Sequence, residues 1–185
     1  MYHIKNDKRA QASSELICAG LLACMKEKPF ARITITDVQH ASTVSRSTFY
    51  RNFDCLEDVL ALLCDRGFQA VFTEYNALPP AQRGNLPKAV FHYWFHNSTV
   101  LEALVQIHRT DILFDSLRRS SGLIEALQPL ADDPARFDYF VAIITSAMIG
   151  VLTVWVEHGK TETEDQMVQK LTSAFIEMAI LELPG

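Results

Sequence analysis

Thr34 to Phe53, TITDVQHASTVSRSTFYRNF, reads as two short helices joined by a tight turn. Thr34 with Asp37 three residues on forms a capping box, with Asp in place of the usual Glu or Gln, and opens a helix to about His40. Ser45 is an N-cap for a second helix, Arg46 to Arg51. Phe49 and Phe53 are four apart and share a face, so they should anchor this second helix to the first helix of the chain. Ser45, Arg46, Ser47, Thr48, Tyr50 and Arg51 are left to cover the outer surface. A polar, basic helix of this kind fits the major groove of DNA. Arg46, near the helix start, suits a bidentate contact with guanine, and the Thr48 methyl suits thymine. Thr34, Ser45 and Tyr50, with the amide groups at helix starts, suit phosphate oxygens.

The charge distribution agrees. The chain of 185 residues has a formal charge of −5, which argues against a generic nucleic-acid coat. Residues 1–53, however, carry 8 Lys and Arg against 4 Asp and Glu, a balance of +4 that leaves −9 for residues 54–185. A basic head on an acidic body implies that only the head meets a polyanion.

With half its residues apolar, the chain can bury a proper core. Cys18, Cys24, Cys55 and Cys64 show no zinc spacing and read as reduced, mostly packed thiols of a cytoplasmic protein. The N-terminal residues lack the apolar run of a secretory signal. Tyr139 to Val156 is free of charge and long enough for a membrane span. Thr145, Ser146, Gly150 and Thr153 dilute it, and Asp138 and Glu157 flank it in place of a basic cluster. We therefore expect a helix buried on both sides and no membrane contact. In so small a chain, one of those sides calls for a second subunit.

Helical patterns run almost throughout. Lys8 to Lys28 is one helix, stopped by Pro29. Asp54 is placed to cap a long helix to about Tyr75, and Pro79, Pro80, Gly84 and Pro87 then break the chain. Further helices are expected over Lys88 to His96, Thr99 to His108, Asp111 to Arg119 and Leu123 to Leu127. Asp133 and Pro134 start the long apolar helix that ends near Gly159. Thr161 with Glu164 reads as a capping box for a last helix, whose one face carries Met167, Val168, Leu171, Ala174, Phe175 and Met178. No segment alternates as a strand. The expected fold is all-α: a three-helix head over residues 1–53 with the helix-turn-helix, and a helical body over residues 54–185.

Thr34, Asp37 and Val38, the run Val44 to Phe53, and then Glu57, Val59 and Leu60 resemble the TetR/AcrR family of bacterial transcriptional regulators. The resemblance spans roughly Arg9 to Leu60; beyond it, Gly150, Trp155, Gly159 and the capped last helix match only in layout. It implies a homodimer, here through residues 133–182, whose heads bind a palindromic double-stranded operator, mostly as a repressor. It also implies a body that binds a small molecule and thereby alters operator affinity.

Two positions depart from the family pattern: Thr43 stands where the turn usually has glycine, and Leu56 where the fourth helix usually starts with lysine. Threonine is strained in a left-handed turn, which points to another turn conformation. Leu56 removes a phosphate contact, which weakens affinity without changing sequence choice. Both motivate the alternative of a module that kept the fold and recognises a protein or ligand instead of an operator.

The effector site is less legible. Phe72, Tyr75, Tyr93, Trp94, His96, His108, Phe114, Thr145 and Met148 are the candidate ligand-binding residues, an apolar set with a few polar groups. The same composition describes an ordinary helical core. His92 and His96 share a helix face, but no carboxylate or cysteine stands at motif spacing beside them, so no metal is expected. No cofactor is expected either: P-loop, Gly-x-Gly-x-x-Gly, Gly-x-Ser-x-Gly and His-Glu-x-x-His patterns are all missing from the sequence, and the chain does not read as an enzyme.

Overall fold

The computed structural model describes residues 2–128 and 133–181, with the side chains of positions 134, 135 and 181 left aside. Positions 1 and 182–185, which the expected head, body and dimerisation ranges include, lie outside the described residues. Among the described residues the chain is all-helical. The head holds α1 (Lys8–Glu27), α2 (Ile35–Ser42) and α3 (Arg46–Asn52). The body holds α4 (Leu56–Ala77), α5 (Leu86–His96), α6 (Ser98–Gln106), α7 (Thr110–Arg119), α8 (Ser121–Leu127), α9 (Pro134–Glu157) and α10 (Glu164–Leu181).

Local chemistry explains most helix starts. The Asp7 carboxylate accepts from the Ala10 amide at the start of α1, at 2.8 Å. The capping box at α2 is complete: Asp37 N–H donates to Thr34 Oγ1 and Thr34 N–H to Asp37 Oδ2. Ser45 Oγ accepts from the Thr48 amide at α3, and Asn85 Oδ1 from the Lys88 amide at α5. α9 begins at Pro134, as the Asp133-Pro134 pair predicts.

Two caps differ from expectation. Cys55, not Asp54, occupies the cap of α4 and makes no side-chain bond there; instead Asp58 Oδ2 reaches back to accept from the Asp54 amide at 3.0 Å. At α10 the box is Thr163 with Gln166, not Thr161 with Glu164: Thr163 N–H donates to Gln166 Oε1 and Gln166 N–H to Thr163 Oγ1. Left-handed backbone at Gly159 (φ 74) and Lys160 (φ 61) consumes two residues in closing α9, so the next helix starts later.

The turn between α2 and α3 keeps the left-handed geometry. Thr43 has φ 57 and ψ 17, which corrects the expectation of a different turn. The buried Ser42 hydroxyl accepts from the Val44 amide and satisfies the turn from within.

α4 is the spine of the molecule. It packs on α1 in the head and on α5, α6, α7 and α8 in the body. Phe68 and Phe72 are buried there, with Trp94 of α5 edge-on to Phe68 at 5.3 Å. Burying each such ring contributes about 1.5–3 kcal/mol. α9 and α10 form the outer layer. α9 turns Met148, Leu152 and Trp155 inward, and leaves Tyr139, Ile143 and Val154 exposed on its other side. By length and composition it could cross a membrane, and a third of its apolar stretch is buried within the chain.

Candidate nucleic-acid interface and body cavity

α3 is positioned by its apolar side. Phe49 and Phe53 are buried against each other, ring centroids 5.8 Å apart, and α3 packs on α1 and α2. This is the anchoring the four-residue spacing predicts. Buried Asn52 donates from Nδ2 to the Thr48 carbonyl at 2.8 Å, which tightens the end of the helix.

The other side faces solvent. Ser45, Arg46, Ser47, Tyr50 and Arg51 are exposed, while Thr48 is half-buried with its hydroxyl 3.0 Å from Ser45 Oγ. The Arg46 guanidinium lies 5.5 Å from the centroid of the Tyr50 ring, with Nη2 3.5 Å from the phenol oxygen. A stack of this kind parks a long cation without burying it. Thr34 is also exposed, but its hydroxyl donates to Asp37 Oδ2 at 2.7 Å and accepts from the Asp37 amide. Lys28 Nζ sits 2.8 Å from the same carboxylate. Lys28 first, then Thr34, holds the Asp37 carboxyl well below its usual range. The structure thus gathers six of the seven candidate residues at α3 and leaves Thr34 occupied by its cap.

One neighbour of this surface was not anticipated. The N-terminal arm lies against the head: His3 N–H donates to the Asn52 carbonyl at 3.0 Å, and the Tyr2 ring packs near Phe53 at 6.5 Å. Lys5, Asp7 and Arg9 then share a concavity of about 310 Å³ with Thr48 and Arg51, three cations against one carboxylate. The apolar alternation of Tyr2 and Ile4 was the available signal.

Head and body meet at Asp65 of α4. Its carboxylate accepts from Tyr2 Oη at 2.5 Å and from Ser116 Oγ of α7, with Arg119 Nη2 3.6 Å away. Arg66, the next residue, donates to Ser14 of α1 at 3.3 Å. One turn of α4 therefore ties the arm and α1 to α7.

In the body, a cavity of about 520 Å³ lies between α4, the 78–85 connection, α5 and the start of α10. Tyr75, Tyr93 and His96 line it, with Lys88, His92 and Glu164. Phe72 lines a second cavity of about 480 Å³ between α4, α7 and α8. Trp94, Thr145 and Met148 are packed inside the core. His108 is exposed in the α6–α7 connection at φ 55 and lines neither of these cavities. Phe114 is half-buried and lines neither cavity. The nine candidates thus do not share either of these cavities, because aromatic composition does not distinguish cavity walls from core.

Residues 88–177 match the TetR_C_8 family model, described as a transcriptional regulator C-terminal region. No curated protein matches the chain. Several solved structures share the fold. A protein of Listeria innocua aligns with a TM-score of 0.69 at 18% identity, covering 95% of this chain and 96% of its own. A TetR transcriptional regulator of Streptococcus agalactiae aligns with a TM-score of 0.60 at 18% identity, covering 91% and 96%. The dihydroxyacetone kinase operon activator DhaS aligns with a TM-score of 0.58 at 14% identity, covering 88% and 95%.

Proposed function

We propose that this chain, which shares the fold of TetR regulators and matches a transcriptional-regulator C-terminal region over residues 88–177, is itself a TetR-family regulator that binds a palindromic operator as a homodimer and responds to a small molecule. The observation that carries this reading is the outer face of α3. Arg46, Ser47, Tyr50 and Arg51 face solvent on a helix whose inner side is locked by Phe49 and Phe53.

In this reading Arg46 swings off Tyr50 and takes guanine O6 and N7, while Ser45, Ser47, Tyr50 and Arg51 hold the phosphates beside the groove. Thr48 offers its methyl to a thymine. The Thr34 hydroxyl is held in its cap, so phosphate contact at α2 falls to the amides of its first turn. Lys5 and Arg9 extend the positive surface beside α3. Tyr75, Tyr93 and His96 form part of the effector cavity, and effector binding shifts the heads through α4. No catalytic role is assigned, and the working compartment is the cytoplasm.

Operator titration with the DNA upstream of its own gene tests the reading. Binding should be sequence-selective and fall steeply with salt. Arg46→Ala should cost about 1–3 kcal/mol and relax preference at one base pair. Unchanged affinity and preference in that variant would remove Arg46 from the role. Repression is the expected sign; DhaS, described as an activator, supplies the competing one. Deleting the gene should raise reporter expression for a repressor and lower it for an activator.

The second reading, a module without operator binding, is favoured by Leu56. It lies 8% exposed in the core, so the position serves packing and offers no cation to a phosphate. A folded dimer with no salt-dependent sequence preference would favour that reading.

A further inference from the structure

His92 and His96 stand one turn apart on α5, their ring centroids 4.6 Å from each other. Glu164, the first residue of α10, faces both across 72 residues of sequence separation from His92. Its Oε2 lies 2.9 Å from His92 Nδ1, and its Oε1 lies 3.8 Å from His96 Nδ1. One ring nitrogen from each histidine and one carboxylate oxygen fall within 4.8 Å of one another. We propose that His92, His96 and Glu164 form a binding site for a divalent transition-metal ion of the zinc class.

The donor set fits such an ion. Two imidazoles and one carboxylate are zinc ligands, and three protein ligands leave a fourth position open. A tetrahedral centre with bonds of about 2.0–2.1 Å sets its ligand atoms roughly 3.3 Å apart. The observed triangle is wider, and both imidazoles have room to close it: their side chains are 65% and 57% exposed. The ion would replace the direct contact between His92 Nδ1 and Glu164 Oε2.

A second contact prepares His96. Its Nδ1 lies 2.9 Å from the His92 backbone carbonyl. A carbonyl only accepts, so in the neutral ring this contact puts the hydrogen on Nδ1 and leaves Nε2 as the nitrogen that can ligate. Ligating histidines are held in this way by the bond their other nitrogen makes. The local charge is balanced as well, because nearby Lys88 is paired with Asp165 at 2.5 Å.

All three residues line the 520 Å³ body cavity, so the open position faces space that an anionic or chelating small molecule can fill. The ion would also clamp α5 to the first turn of α10.

Metal binding is measured on the full-length chain free of DNA, which separates its failure from any failure of operator binding. Titration with Co²⁺ should give visible absorption bands of low-symmetry coordination, with one ion per chain, and Zn²⁺ should displace it while Mg²⁺ should not. His96→Ala and Glu164→Gln should each weaken Zn²⁺ binding by about tenfold or more. His158→Ala, a surface histidine outside the cluster, should bind as the parent does. Circular dichroism of each variant confirms that it is folded. Absence of Zn²⁺ binding at micromolar concentrations would overturn the proposal, as would a folded Glu164→Gln chain that binds like the parent.

Discussion

Thr43 holds φ 57 and ψ 17 in the turn of the helix-turn-helix, a region where a β-branched residue is strained. Such strain costs of order 1–3 kcal/mol, and glycine would relieve it while giving back about 0.5–1 kcal/mol of chain entropy. Thr43→Gly should therefore stabilise the protein by about 1 kcal/mol and raise Tm by about 2–4 °C. An unchanged or lower midpoint in thermal denaturation would mean that the threonine makes compensating contacts. Tyr2 offers a pH-dependent test. Burial first, then the hydrogen bond to Asp65, pushes its phenol up to about 12 from 10.0. The neutral phenol is thus the form the fold favours. Its stabilisation is complete below pH 10 and is lost as pH climbs through the folded value. Burial also raises the Tyr93 phenol, so ultraviolet titration should show a late phase that shrinks by one tyrosine in Tyr2→Phe; if the late phase is unaltered, the arm is not docked through Tyr2. At this scale the sequence is only partly readable. The outward set on α3 follows from spacing alone, whereas the Tyr2–Asp65 bond spans 63 residues and the His92–Glu164 pair 72. Pairings of that length exist only once the helices have packed.

Helices and their order are the most legible level, because each start and stop is written in neighbouring residues. Where reading failed, the deciding group stood outside the local pattern. Asp58 rather than Asp54 supplies the hydrogen bond at the start of α4, and two left-handed residues delay α10. Packing between elements is less legible, and Gly20 shows why. A Cβ built on it would stand 2.8 Å from Ser42 Cβ and 3.0 Å from the Ser42 amide nitrogen, so α1 and α2 touch only because that atom is missing. Alanine is the better helix former by about 1 kcal/mol, which alone predicts that Gly20→Ala stabilises. Overpacking against backbone costs about 1–3 kcal/mol and should dominate. We expect Gly20→Ala to lower the stability of the head and to weaken operator binding, since α2 sets the position of α3. Chemical denaturation decides the sign, and a higher midpoint would show that the helices can part without cost.

For the whole molecule, the apolar outer layer is the feature one chain leaves unexplained. Tyr139 is 74% exposed, Ile143 55%, Ile176 57% and Met178 52%, all on α9 and α10. Between these helices runs an open groove of about 450 Å³ lined by Ile143, Leu171, Phe175 and Met178 among others. Contiguous exposed apolar surface of this kind marks a contact site. The sequence pointed to it through a charge-free helix, yet the helix is buried on only one of its sides within the chain. Two copies meeting through α9 and α10 would bury the other and form a four-helix interface; under the proposed function that dimer would have to set its two α3 helices on successive major grooves about 34–36 Å apart. Ile143→Glu places a carboxylate in the middle of that interface. It lies on an exposed side of α9, so the single chain should keep its helical content while the dimer is lost. Sedimentation should give a dimer for the parent and a monomer for the variant at micromolar concentration, and operator affinity should fall with it because each half-site then binds alone. A parent chain that sediments as a monomer would reject the interface, and a dimeric Ile143→Glu would move it away from α9.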